Sequence, residues 1–149
     1  METIASFEVD HTILTPGIYL SRVDHGVRTY DIRVTAPNKE FLPNPAMHTI
    51  EHLFAVHARN GRMGDKIIYF GPMGCRTGFY LLTVDNTDGE AVALIQETFS
   101  FIASYDGIVP GTAEKECGNY REHDLPAARA IAAKYCDVIK DWTAEQIFY

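Results

Sequence analysis

Apolar residues recur along the chain in two rhythms, and the change from one to the other marks out its elements. Between residues 4 and 35 apolar and polar positions alternate loosely, with Val, Ile, Thr and Tyr common and Gly17 and Gly26 as breaks. That period of two predicts two or three antiparallel strands, of which Arg28-Thr29-Tyr30-Asp31-Ile32-Arg33-Val34 is the clearest. Pro37, Pro43 and Pro45 then interrupt the pattern as a loop. Residues 46–60 are read as a helix, capped by Asn44 and stopped by Gly61. Residues 66–70 and 79–84 return to strand composition and flank the glycine-rich run 72–78. After Asp88-Gly89, the spacing of Val92, Ile95, Phe99 and Ile102 predicts a core-packing helix that ends before Gly107. A loop through Pro110 and Gly111 leads past Cys117 to Asp124-Leu125-Pro126, where a capping Asp and a first-turn Pro open a last helix. Clustered strands with interspersed helices, and no repeat or low-complexity tract, predict an α+β fold. It would be an antiparallel sheet packed with about three to four helices in a single domain over residues 1–149.

Composition narrows what such a domain binds. The 149 residues are 46% hydrophobic, enough for one ordinary core. Lys and Arg number 13 against 20 Asp and Glu, and the net charge of −7 disfavours phosphate backbones and anionic membrane surfaces. The expected partner is therefore a small molecule, with no nucleic acid and no membrane. No run approaches the roughly 18 apolar residues of a membrane span, and Met1-Glu2-Thr3 lacks the basic and apolar regions of a signal peptide, so a cytoplasmic protein is expected. Three cysteines with no paired framework suit a reducing compartment, where thiols stay free for metal binding or catalysis.

The chemistry is concentrated in His48-Thr49-Ile50-Glu51-His52. At about 100° per residue on a helix, the two imidazoles and the carboxylate share one face. Two neutral imidazoles one turn apart can hold a divalent cation, and the adjacent Glu is placed to move protons beside it. The H-x-x-E-H order is an inverted metalloprotease motif. A catalytic site of this kind needs a third protein ligand and an open position. Cys75 and Cys117 both sit beside glycines, whereas Cys136 follows Ala132, Ala133 and Tyr135 in a periodic segment and reads as a buried small hydrophobe. His57, about 180° round the helix from His48, is expected to be an exposed or packing residue, and His25, before Gly26, a turn residue. His123 fits either a residue near Cys117 or a helix start. Arg33 on its strand fits a surface charge or a grip for oxygen-rich ligands.

With these residues in hand the chain resembles the S-ribosylhomocysteinases, the autoinducer-2 production proteins, from end to end. The resemblance is carried by Ser6-Phe7 with Asp10-His11-Thr12, by Asp31-Ile32-Arg33 with Pro37-Asn38-Lys39, and by the His48 to His52 helix. Pro72-Met73-Gly74-Cys75-Arg76-Thr77-Gly78-Phe79-Tyr80, and Cys117-Gly118 with His123-Asp124-Leu125, complete it. It implies that His48, His52 and Cys117 hold one divalent metal per subunit, Fe(II) in the cell and Zn(II) as isolated. It implies Cys75 and Glu51 as the acid/base pair, with Ser6, His11 and Arg33 lining the substrate pocket. It further implies a homodimer with active sites at the subunit interface. One departure is visible: many relatives carry an Asp on the strand entering the Pro-Met-Gly-Cys segment, where this chain has Tyr69.

The implied reaction is cleavage of S-ribosylhomocysteine to homocysteine and 4,5-dihydroxy-2,3-pentanedione by carbonyl migration and β-elimination. Gly74 and Gly78 open the backbone around Cys75, and Arg76 and a cation are expected to favour its thiolate. Two other readings compete. A metallopeptidase or deformylase-like hydrolase would use H-x-x-E-H alone, and a structural zinc module would recruit Cys75 as a fourth ligand.

Overall fold

The computed structural model describes residues 1–149. After a helical turn, α1 (Ala5–Glu8), the chain forms β1 (Gly17–Asp24) and β2 (Val27–Arg33), then α2 (Asn44–Arg59). It continues through β3 (Ile67–Pro72), β4 (Gly78–Thr83), α3 (Asp88–Ser104) and α4 (Leu125–Ile139). The four strands make one antiparallel sheet in the order β1-β2-β4-β3. The α+β expectation holds, with four helices. The early segment differs: strand begins only at Gly17, and residues 5–8 coil into a helical turn. His25 does sit in a turn, with φ of 52° ahead of Gly26 at 81°. Two left-handed residues in succession match the twist of the β1–β2 hairpin.

Alternation along β2 divides the sheet into two chemistries. Tyr30 and Ile32 face the helices, in register with Leu20 and Ile18 on β1 and with Leu81 and Phe79 on β4. They join Leu53, Phe54, Ile95, Phe99 and Tyr135 in one core, where each large apolar side chain contributes about 1.5–3 kcal/mol through burial. Asp31 and Arg33 point to the opposite face yet are also buried. Arg33 lies in register between Gly17 and Gly78. A Cβ on Gly78 would collide with the Ile32 carbonyl, so this β2–β4 approach needs glycine.

The helix ends explain where the site falls. Asn44 is the first residue of α2 rather than its cap; Pro43 precedes it and Pro45 occupies the first turn, where a missing N–H costs nothing. Thr87 and Glu90 form a reciprocal capping box on α3. Asp124 caps α4 as expected, accepting from Ala127 N at 3.0 Å. Cys136 on α4 is only partly buried, flanking the core rather than lying inside it, because Tyr135 takes the inward position.

Candidate metal centre

Helix α2 presents His48, Glu51 and His52 together, and the loop between α3 and α4 comes back over them. His48 Nδ1 lies 2.8 Å from the Glu122 carbonyl and His52 Nδ1 2.8 Å from the Pro110 carbonyl. A carbonyl oxygen can only accept, so both Nδ1 atoms carry the proton and both Nε2 atoms keep a free lone pair. Those two Nε2 atoms are 3.4 and 3.9 Å from Cys117 Sγ. The sulfur also receives the Asn119 N–H at 3.4 Å. Two imidazoles oriented by carbonyls, with a cysteine between their lone pairs, are a donor set that fits a divalent cation.

His123 is the residue the sequence left open, and it joins the group. Donor atoms of His48, His52, Cys117 and His123 all lie within 4.8 Å of one another. The His123 ring is parallel to that of His48, its Nδ1 pairs with Thr49 Oγ1 at 3.1 Å, and its buried Nε2 has no partner. Thr49 Oγ1 in turn accepts the Asp124 N–H at 3.0 Å, fixing the start of α4 against α2. Burial, then the neighbouring His48 and His52, push His123 down to about 4, so it is neutral at neutral pH. The sequence signal was its place six residues beyond Cys117 and next to the α4 cap. His57, by contrast, packs on Phe101 with 4.2 Å between ring centroids.

Beside the cluster lies a cleft of about 560 Å³ lined by Glu51, His48, Asn44 and Glu122 on one side and by Met73, Gly74 and Arg76 on the other. Glu51 is half-buried there, and its carboxylate makes no hydrogen bond or ion pair within the chain. Cys75 sits in the tight connection between β3 and β4, outside the four-donor group, so it is not the fourth ligand of a His₂Cys₂ module. Its sulfur is 3.1 Å from Thr77 Oγ1 and 3.9 Å from Arg33 Nη1. The cation beside the thiol is therefore Arg33. Arg76, which has φ of 60°, directs its guanidinium over the Phe41 ring.

Arg33 is not a surface charge. It donates through Nε and Nη2 to Asp31 at 3.0 and 2.6 Å and through Nη1 to Thr77 Oγ1 at 2.7 Å. Burial opposes its charge, but the hydrogen bonds and charge of Asp31 more than compensate and raise the guanidinium above its ordinary value. Asp31 was missed as a site residue. Its signal was the i, i+2 spacing to Arg33, which places both side chains on one face of a strand. Ser6 lies on α1, and His11 follows it with Nδ1 donating to the Val9 carbonyl at 2.7 Å. Neither touches the histidine–cysteine cluster within the chain. They flank a second cleft, of about 600 Å³, lined by Glu8, Asp10, Leu14, Tyr19, Ser21 and Tyr149. Tyr69 is exposed on the outer strand β3, its ring over Gly71, which has no Cβ to obstruct it.

A family model described as S-Ribosylhomocysteinase (LuxS) matches residues 4–146. An S-ribosylhomocysteine lyase of Phocaeicola vulgatus is 49% identical over 157 residues, covering 100% of this chain and 98% of that protein. S-ribosylhomocysteine lyases of Finegoldia magna and Clostridium acetobutylicum are each 46% identical, over 155 and 156 residues, covering 100% of this chain and 99% of theirs.

Proposed function

The chain belongs to the S-ribosylhomocysteinase family, and we propose that it cleaves S-ribosylhomocysteine to homocysteine and 4,5-dihydroxy-2,3-pentanedione, the autoinducer-2 precursor. The observation that carries this is the pair of Nε2 lone pairs of His48 and His52 turned to Cys117, with Glu51 one turn away on a cleft walled by the neighbours of Cys75. His48, His52 and Cys117 would hold one divalent cation per subunit. When bound, it supplies Lewis acidity that steadies the sugar oxygens as negative charge develops. The donor set suits zinc, cobalt and ferrous iron alike. We take Fe(II) as the occupant in the cell and Zn(II) as the occupant after isolation in air.

The thioether of the substrate is not activated for elimination until a carbonyl stands next to the carbon that loses its proton. The carbonyl therefore moves first from C1 to C2 and then from C2 to C3. Each shift removes a proton from carbon and returns one to the neighbouring carbon, through an enediolate. Cys75 and Glu51 share these transfers. The sulfur of Cys75 lies beside the buried Arg33 guanidinium, a fixed positive charge that suits a thiolate acting as base. Glu51, unpaired on its cleft, acts in the later steps. Loss of the C4 proton then forms the C4–C5 double bond and expels homocysteine thiolate from C5, which takes up a proton; the C4 enol left behind gains a proton at C5, loses its hydroxyl proton and becomes the dione.

Ser6, His11 and Arg33 are the proposed substrate-binding residues. Within one chain Ser6 and His11 lie apart from the cluster, and Phe7 and Ile13 beside them are 76% and 75% exposed. This supports a homodimer whose active sites combine residues of both subunits, built from one lyase domain per chain over residues 1–149. No helix is long and apolar enough to cross a membrane, and three free cysteines support a place in the cytoplasm.

The test is to reconstitute the purified protein anaerobically with Fe(II) or Co(II), add S-ribosylhomocysteine and follow release of free thiol with a chromogenic disulfide. Thiol release is expected. Its absence at full metal occupancy would remove the lyase assignment and bring peptide and formyl-peptide hydrolysis forward.

A further inference from the structure

On the sheet face away from the core, a chain of side chains leads from Tyr149 to the sulfur of Cys75. The Tyr149 hydroxyl donates to Asp31 Oδ2 at 2.7 Å, and its ring stacks on Tyr19 with 5.1 Å between centroids and 17° between planes. Tyr19 and Tyr80 are the cross-strand partners of Asp31 on β1 and β4, so aromatic rings bracket the carboxylate. Asp31 and Arg33 keep only 2% and 3% of their side-chain surface exposed. Arg33 directs Nε and Nη2 to Asp31 and turns Nη1 to Thr77 and Cys75. Arg33 Nη2 and the Tyr149 hydroxyl meet at the same carboxylate oxygen.

We propose that Tyr149 is a positioning residue for Cys75, acting through Asp31 and Arg33. The carboxylate and the sulfur draw on one guanidinium from opposite sides. A second donor on Asp31 Oδ2 disperses the carboxylate charge, so Asp31 neutralises Arg33 less and more of the positive field reaches the sulfur. Asp31 and Arg33 are themselves buried, so the charge balance between them is screened little by water, while the sulfur that receives the remaining field is exposed and open to reagents. Removing the hydroxyl alone gives Asp31 a stronger claim on Arg33 while leaving the stack on Tyr19 intact. The Tyr149 hydroxyl is held by this bond in turn: burial first and then Asp31 raise its pKa, so it remains a donor throughout the working pH range.

The proposal rests on Cys75 being the reactive thiol of the lyase, but its test does not require turnover. The metal-loaded protein is treated with iodoacetamide at fixed neutral pH, and modification of the Cys75 peptide is followed by mass spectrometry, separately from Cys117 and Cys136. In Tyr149→Phe the rate at Cys75 should fall about three- to tenfold, because a charge-assisted hydrogen bond is felt at the sulfur only through two intervening groups. kcat for thiol release should fall in parallel, with KM unchanged. An unchanged alkylation rate in Tyr149→Phe overturns the proposal. So does a slower rate seen in Tyr149→Ala but not in Tyr149→Phe, which would assign the effect to the ring as packing. A wild-type protein without lyase activity whose Cys75 still slows in Tyr149→Phe would remove the lyase function and leave the positioning role standing.

Discussion

The His123 imidazole lies parallel to that of His48, with 4.0 Å between ring centroids and 22° between planes. His48 is thereby held from two sides, by a carbonyl at its Nδ1 and by a ring against its face. Replacing His123 with Ala removes that wall and the link to Thr49. The expected result is metal affinity roughly tenfold lower, in line with the loss of an outer partner of a ligand. Competition with a chromogenic chelator measures it, and unchanged affinity would show that the stack is incidental.

Cys75 and Glu51 stand outside the four-donor group. Cys75→Ser and Glu51→Gln should each retain metal while kcat drops by about 10²- to 10⁴-fold, the range for a proton-transferring side chain. Metal content by elemental analysis alongside thiol-release kinetics separates the two effects. A metal-replete Cys75→Ser protein with wild-type turnover would take Cys75 out of the reaction.

The salt bridge of Asp31 with Arg33 is buried on both sides. Removing one partner strands the other charge without water, so Asp31→Asn should cost about 3 kcal/mol or more of stability. Urea unfolding of the metal-loaded protein reads this directly. A cost below about 1 kcal/mol, the range of exposed pairs, would mean that water reaches Arg33.

Glu90 titrates against the α3 cap. The Thr87 backbone N–H, opposed by desolvation and assisted by Lys66, holds its carboxyl below the ordinary glutamate value. A depressed acid stabilises the fold above its unfolded pKa, and that contribution vanishes as the pH falls through the folded value. The urea midpoint of the wild type should therefore exceed that of Glu90→Ala at neutral pH, and the gap should close on acidification through and below the ordinary carboxylate range. A gap independent of pH would place the effect in helix propensity instead.

The sheet, the three long helices and the shared face of His48 and His52 were legible because each rests on local periodicity or spacing, whereas Cys117 was reached only through the family resemblance. Tyr30 and Ile32 alternate with Asp31 and Arg33, and His48 and His52 are one helical turn apart. What was not legible depends on contacts between distant segments. Nothing local marks Tyr149, 118 residues from Asp31, as its hydrogen-bond partner. Likewise, only the fold chooses Arg33 over the adjacent Arg76 as the cation near Cys75: a left-handed backbone at Arg76 turns its side chain to Phe41. The helical turn at residues 5–8 went unseen because a four-residue segment with no buried side chain leaves no periodic trace.

The loop between Ser104 and Leu125 has no regular helix or strand, yet it supplies the Cys117 sulfur and both carbonyls that fix the histidine protons. Gly111, at φ of 73°, lets its backbone pass directly against the His52 ring. A cation held by this group would tie the loop to α2, so its release would be expected to need local opening of the segment while the sheet and helices stay folded. The clasp ties residues 65 and 69 positions apart in sequence, so a loaded protein should exchange the amide hydrogens of this loop far more slowly than a stripped one.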